Sequence, residues 1–125
     1  MEAALHDILI NTYNSNHDLR VNAEKALQQF LATPGSLTAL INFIGAVEVH
    51  RELRQACGLV LKNRLRDYFS FDEKNPSKAL PASPEDKEYV KHQIVNILLA
   101  ELDNSIRGIL AESVRVISEY EFPDR

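Results

Sequence analysis

The sequence predicts an all-α fold, an α-solenoid of about three antiparallel helix pairs. Three observations predict it. Apolar residues recur with helical spacing along most of the chain. One helix pattern is repeated. Helix breakers and caps fall between the periodic stretches. A pair of this kind cannot bury its own apolar stripe, and stacking neighbours buries it.

The odd-numbered helices show the stripes most clearly. Leu5, Ile8, Leu9 and Thr12 fall at i, i+3, i+4 and i+7, as do Leu37, Leu40, Ile41 and Ile44. Val90, Ile94, Ile97 and Leu98 continue the pattern. Each set places one apolar face on a helix. Between them lie helical segments over about 17–32, 50–68 and 104–120, read from the same periodicity. These even-numbered helices share a form, apolar-Arg-x-x-apolar-x-x-x-apolar. It reads Leu19-Arg20, Ala23 and Leu27, then Leu53-Arg54, Cys57 and Leu61, then Ile106-Arg107, Leu110 and Val114. The first two copies lie about 34 residues apart, a period typical of helical repeats.

The boundaries agree. Pro34-Gly35 suits no helix interior. Ser83-Pro84-Glu85-Asp86 supplies an N-cap, a proline at the first helical position and acids at the positive helix end. The repeats are expected at roughly 1–33, 34–69 and 84–121, with a loop over 70–83. A loop of that length is either a surface insertion or a functional segment.

Composition excludes several classes. The chain has 125 residues, 45% hydrophobic and 26% charged, with a formal net charge of −4. A general nucleic-acid binder is usually basic, so no nucleic-acid partner is expected. No stretch approaches ~18 uninterrupted apolar residues, so no membrane partner is expected either. The N-terminus lacks the pattern of a secretory signal. The lone Cys57, among Ala56, Leu59 and Val60, reads as a small buried hydrophobe. Its solitude argues for a reducing compartment.

Catalytic chemistry is not in view. The sequence has no Gly-rich phosphate loop, no zinc-type Cys/His spacing and no nucleophile elbow. His6, His17, His50 and His92 are scattered, with no pair at i, i+4. No catalytic residue, metal ligand or cofactor is therefore assigned, and the chain reads as a binder of protein.

A surface for that partner comes from the helical wheel. In the helix over 50–68, Leu53, Ala56, Cys57, Val60 and Leu61 point to the core. Arg51, Gln55, Gly58, Lys62 and Arg66 point the other way and form a basic stripe. The repeat offsets carry it to His17, Val21, Glu24 and Gln28 in the second helix. In the sixth they give Asn104, Gly108, Ala111, Arg115 and Glu119. Equivalent positions in a solenoid line one surface, and Gly58, Gly108 and Ala111 would keep it low. The alternative is that each stripe is only a solvated face. Arg20, Arg54 and Arg107 recur beside the core position and read as a structural ladder, each bonding an acid or helix end of a neighbouring repeat.

The repeated apolar-Arg-x-x-apolar pattern resembles the HEAT repeat. Arg20-Val21-Asn22-Ala23-Glu24-Lys25-Ala26-Leu27 resembles the R-x-x-A-E-x-x-L of the importin-β N-terminal domain. Leu53-Arg54-Gln55-Ala56 with Leu61-Lys62-Asn63 resembles that domain's R-Q-x-A…L-K-N. Asp86-Lys87 with Ile94-Val95 looks like its third repeat, and Phe122-Pro123-Asp124-Arg125 looks like the F/Y-P-x-x-W that closes it. The final Trp is absent, and Tyr68 or Phe69 must serve for the aromatic expected after Lys-Asn.

The resemblance implies a right-handed HEAT-type solenoid, the N-terminal part of a longer karyopherin-β nuclear transport receptor. It implies binding to the small GTPase Ran in its GTP form, cargo binding through repeats outside this chain, and shuttling between cytoplasm and nucleus. Lys62 and Asn63 carry over by motif as Ran contacts. The wheel adds Glu24, Gln28, Arg51, Gln55 and Arg66. An importin, an exportin of the importin-α recycling type and a HEAT scaffold without Ran binding all remain open. An uncovered face around Ile106, Ile109, Ile117 and Tyr120 would give self-association.

Overall fold

Capping chemistry sets where the helices begin. The Asn16 side chain accepts a hydrogen bond from the Leu19 amide at 3.1 Å, and α2 (His17–Leu31) starts there. Gly35 precedes α3 (Ser36–Gly45) with φ of 88°, a left-handed conformation that a side chain would strain. Ser83 and Asp86 form a reciprocal capping box, with Pro84 in the first turn of α5 (Pro84–Ala100). Asp103 Oδ1 accepts from the Ser105 and Ile106 amides at 2.9 and 3.1 Å, opening α6 (Asn104–Glu121). The remaining helices are α1 (Glu2–Thr12) and α4 (Arg51–Phe69). The computed structural model describes residues 2–69 and 80–121, and no strand occurs among them. Most of the predicted loop, 70–79, and the Phe122–Arg125 motif lie outside the described residues.

The architecture is an α-solenoid of helix pairs. Its centre is α3, whose Leu37, Leu40, Ile41 and Ile44 are all fully buried. α3 packs against α4 of its own pair and against α5 of the next, while α4 packs against α6. The second and third pairs therefore stack like upon like. The first pair does not. There α1 lies against both α2 and α4, and α2 borders α3.

One buried polar contact ties the second pair to the third. Arg54 Nε donates to the Ile44 carbonyl at 2.8 Å, and its guanidinium pairs with the Glu101 carboxylate. The other Glu101 oxygen accepts from the Leu102 and Asp103 amides at 3.1 and 3.0 Å. This is the expected ladder, realised at Arg54. Arg20 instead bonds His17 on its own helix at 3.2 Å, and Arg107 is exposed. The reason lies in the stacking, since only the second and third pairs meet in the register that brings a neighbour's acid to the arginine.

Tyr68 serves as the aromatic after Lys-Asn. It is buried, its hydroxyl lies 2.6 Å from Ser36 Oγ, and burial pushes the phenol up to about 12. Phe69 is half-buried beneath Lys87 Nζ, 5.7 Å from the ring centre. Cys57 is buried, its Sγ 3.4 Å from the Leu40 carbonyl, and burial pushes its thiol well above the usual range.

The uncovered face of the last pair differs from the expected one. Ile106 and Ile117 are buried and Ile109 is half-buried, leaving only Tyr120 exposed of the four. The apolar stripe of α6 is what packs against α4, so it cannot also face outward. The exposed apolar residues of this pair include Val95, Leu99 and Leu102 from α5 and the turn after it.

Candidate partner-binding surface

α4 packs chiefly against α1, α3 and α6, and these helices decide which of its residues remain free. Cys57, Leu61 and Tyr68 are buried in the core. Ala56 is buried too, and together with Leu53 and Gln55 it lines a shallow cleft that reaches Tyr13 at the end of α1. Gly58 meets α6, where an added Cβ would sit 3.1 Å from Ile109 Cγ2. The arc that remains carries Glu52, Asn63 and Arg66, which are exposed, and Gln55 and Leu59, which are half-buried.

The free face is thus rotated away from the predicted stripe. Gly58 is buried at a helix crossing and is not a low point of an open surface. Lys62 is half-buried and Asn63 is exposed. The wheel counted Lys62 in the open stripe, and Asn63 came only from the motif; in the structure Asn63 is the more exposed of the two. The cause is α6, which covers the Gly58 edge of α4 and turns the open arc toward Asn63.

Arg51 is already engaged. Its guanidinium holds Asp103 through two hydrogen bonds, one at 3.2 Å from Nη2 to Oδ1. That bond, together with the Ile106 amide, holds the Asp103 carboxyl down to about 2. Arg51 therefore braces the turn that opens α6, while its side chain stays partly exposed.

Glu24 and Gln28 are exposed on α2. They do not continue the α4 surface in the register that the repeat offsets require, because α1 occupies the position beside α4. The α6 residues of the predicted stripe do stay open. Asn104, Gly108, Ala111, Arg115 and Glu119 are all exposed, and a Cβ on Gly108 would meet nothing within 4 Å.

Lys62, Asn63 and Arg66 meet Glu112, Arg115 and Val116 across the α4–α6 junction, around a cleft of about 260 Å³. Arg115 Nε donates to Glu112 Oε1 at 3.0 Å, and the same guanidinium also pairs with Glu119. Arg115, and more weakly Lys62 and Arg66, hold the Glu112 carboxyl below the usual carboxylate range. Glu112 was not among the sequence-predicted contacts. Its signal was present as one half of an i, i+3 pair with Arg115, but that pair alone does not reveal which neighbouring helix it faces.

Among the described residues no group of His, Cys, Asp and Glu is arranged to hold a metal ion. No helix of the structure is long and apolar enough to cross a membrane.

Stacked helix pairs with an open second-helix face are the architecture of a helical-repeat protein. The importin-beta N-terminal domain family matches at residues 23–100, and the chain belongs to that family. It is 25% identical over 122 residues to Exportin-2 of Dictyostelium discoideum, covering 97% of this chain and 12% of that protein. It is 28% identical over 119 residues to Nonsense-mediated mRNA decay protein 5 of Saccharomyces cerevisiae, covering 91% of this chain and 11% of that protein. The chain thus spans about an eighth of the length of these curated relatives.

Proposed function

We propose that the chain is the N-terminal part of a karyopherin-type nuclear transport receptor, and that its α4 and α6 faces bind Ran in the GTP form. The observation that carries the reading is the continuous open surface across Asn63, Arg66, Arg115 and Gly108, on a chain of the importin-beta N-terminal domain family. Lys62 and Asn63 occupy the L-K-N motif and both border this surface. Gln55 lies at its α1 edge. Glu24 and Gln28 on α2 are a separate exposed patch, and they join the same footprint only if the partner reaches past α1. In this reading cargo is bound by repeats outside the chain, and the receptor moves between cytoplasm and nucleus.

The name of the Dictyostelium relative favours an exportin as the particular receptor. In an importin the GTPase would release cargo, and in an exportin it would favour loading. Pull-down of Ran by this chain joined to the rest of its receptor tests both parts. Retention with a GTP analogue and not with GDP is the expected result. Equal retention in both states, or none, sinks the Ran reading. Adding a receptor-specific cargo then distinguishes the directions: an exportin retains more Ran with cargo present, an importin less.

A further inference from the structure

The basic groups at the α4–α6 junction do not balance the acids beside them. Lys62, Arg66 and Arg115 bring three cationic groups to one small cleft, while among the described residues Glu112 is the single carboxylate in its lining. The chain as a whole carries a net charge of −4, so this junction is a local reversal of the protein's charge. Glu112 does not neutralise the group evenly. It is held by Arg115, its partner on the same helix, and Glu119 engages the other side of the same guanidinium. Lys62 and Arg66 stand across the junction, and among the described residues no carboxylate from α4 faces them in the lining of the cleft.

From this arrangement we infer that the α4–α6 cleft is an acceptor for an acidic side chain of the partner, and that Glu112 is an internal competitor for the same cations. The inference rests on the proposed Ran reading and adds to it the chemistry of one contact. An incoming carboxylate reaches Lys62 and Arg66 directly. To engage Arg115 it displaces Glu112, whose place a bidentate acid can take because a guanidinium presents a planar fork of donors. The competitor sets the strength of the contact. It keeps the free cleft from holding small anions tightly, and it makes the contact dependent on a partner that presents more than one acid. Half-buried Lys62 limits access from one side, so the acid must enter along the exposed Asn63 and Arg66 edge.

The sign of a single substitution separates this arrangement from a general charge effect. Glu112→Gln removes one of the two carboxylates that hold Arg115, leaving the Glu119 pair in place, and it is expected to tighten GTP-state Ran binding by the receptor about threefold at low salt. Lys62→Glu with Arg66→Glu is expected to weaken binding by about tenfold or more. Asp7→Asn, an exposed change of equal charge on α1, is expected to leave affinity unchanged. The gain from Glu112→Gln should shrink between ~0.05 and ~0.3 M salt, because the contact is surface-exposed and screened.

Isothermal titration of each variant with GTP-analogue Ran reads all four expectations, with circular dichroism confirming that the helices are retained. If wild-type receptor binds and Glu112→Gln is neutral or weaker, the acceptor role of the cleft is overturned while the Ran reading stands. If Glu112→Gln and Asp7→Asn tighten binding equally, the effect is net charge and the acceptor role is again overturned. If the wild-type receptor binds no Ran in either nucleotide state, both fall together.

Discussion

Arg54→Ala should remove about 3 kcal/mol of stability, and the structure sets that magnitude. The Arg54 and Glu101 side chains are 8% and 6% exposed, so their pair is shielded from solvent. Breaking a buried pair by deleting one partner costs about 3–5 kcal/mol, because the other charge stays buried without compensation. Here Glu101 keeps two backbone amide donors, from Leu102 and Asp103. Those bonds still stabilise the carboxylate, which places the loss at the lower end of that range. The Ile44 carbonyl also loses its donor, worth about 1 kcal/mol and contained within the same figure.

For a chain of this size ~3 kcal/mol corresponds to a fall in Tm of about 10 °C. Urea unfolding followed by far-UV circular dichroism at neutral pH measures it. Arg107→Ala and Arg20→Ala occupy the same repeat position without a buried partner, and each should lose less than about 1 kcal/mol. The double change Arg54→Met with Glu101→Gln should recover most of the loss. Methionine replaces the aliphatic stem of the arginine, and the amide oxygen of glutamine can still accept from the backbone amides without carrying a charge. The reasoning is refuted if the three alanine variants lose similar amounts, or if the double variant is as unstable as the two single changes added together.

Two further stability measurements probe the same junction. Asp103 has its pKa depressed to about 2 by Arg51 and the α6 amides, so its contribution is fully present above about pH 4 and is lost as pH falls from about 4 to about 2. Acid unfolding of Asp103→Asn should lack that component, and an unchanged acid profile would show that the carboxylate does not brace α6. Gly108→Ala should stabilise the protein by about 1 kcal/mol, the helix-propensity difference, since a Cβ there meets nothing. Gly58→Ala should fail to gain it and should lose about 1 kcal/mol, because its Cβ presses on the β-branched Ile109. Thermal melts of the pair decide this, and equal gains at both sites would place α6 further from α4 than the structure does.

Much of the fold was legible because its signals are local. Helical spacing located α3 and its buried face, and Ser83-Pro84-Glu85-Asp86 marked the start of α5 by cap chemistry alone. The Arg54 contact was legible in kind, since a recurring arginine beside a core position has few other uses. The candidate surface was legible only in part. A wheel separates apolar residues from polar ones, and it placed Ala56 correctly in the core, but on α4 Gly58 defeats it. Gly58 carries little hydrophobic signal, yet it is buried because α6 approaches closely there. Glycine read as a low point on an open surface was in fact a helix crossing. The rotation of the α4 face depends on where α1 and α6 sit, and no local pattern encodes that.

The first pair shows the same limit at larger scale. Repeat offsets assume that every junction is alike, and on that assumption Glu24 and Gln28 extend the α4 stripe. The structure instead sets α1 against α4, and the arginine of the first repeat turns to His17 instead of a neighbour's acid. The contacts α1–α4 and α2–α3 replace the like-on-like packing of the second and third pairs, so the offset that relates those two pairs does not hold at this junction. That difference has a consequence for binding. A partner seated on α4 and α6 meets two helices in like-on-like register, held at a fixed spacing by the Arg54–Glu101 and Arg51–Asp103 contacts, and next to them it meets the end of α1 at Tyr13 and not α2. In the proposed reading, recognition at the α4–α6 junction rests on a braced pair of helices, while any contact with Glu24 or Gln28 must be made across α1 by a separate part of the partner.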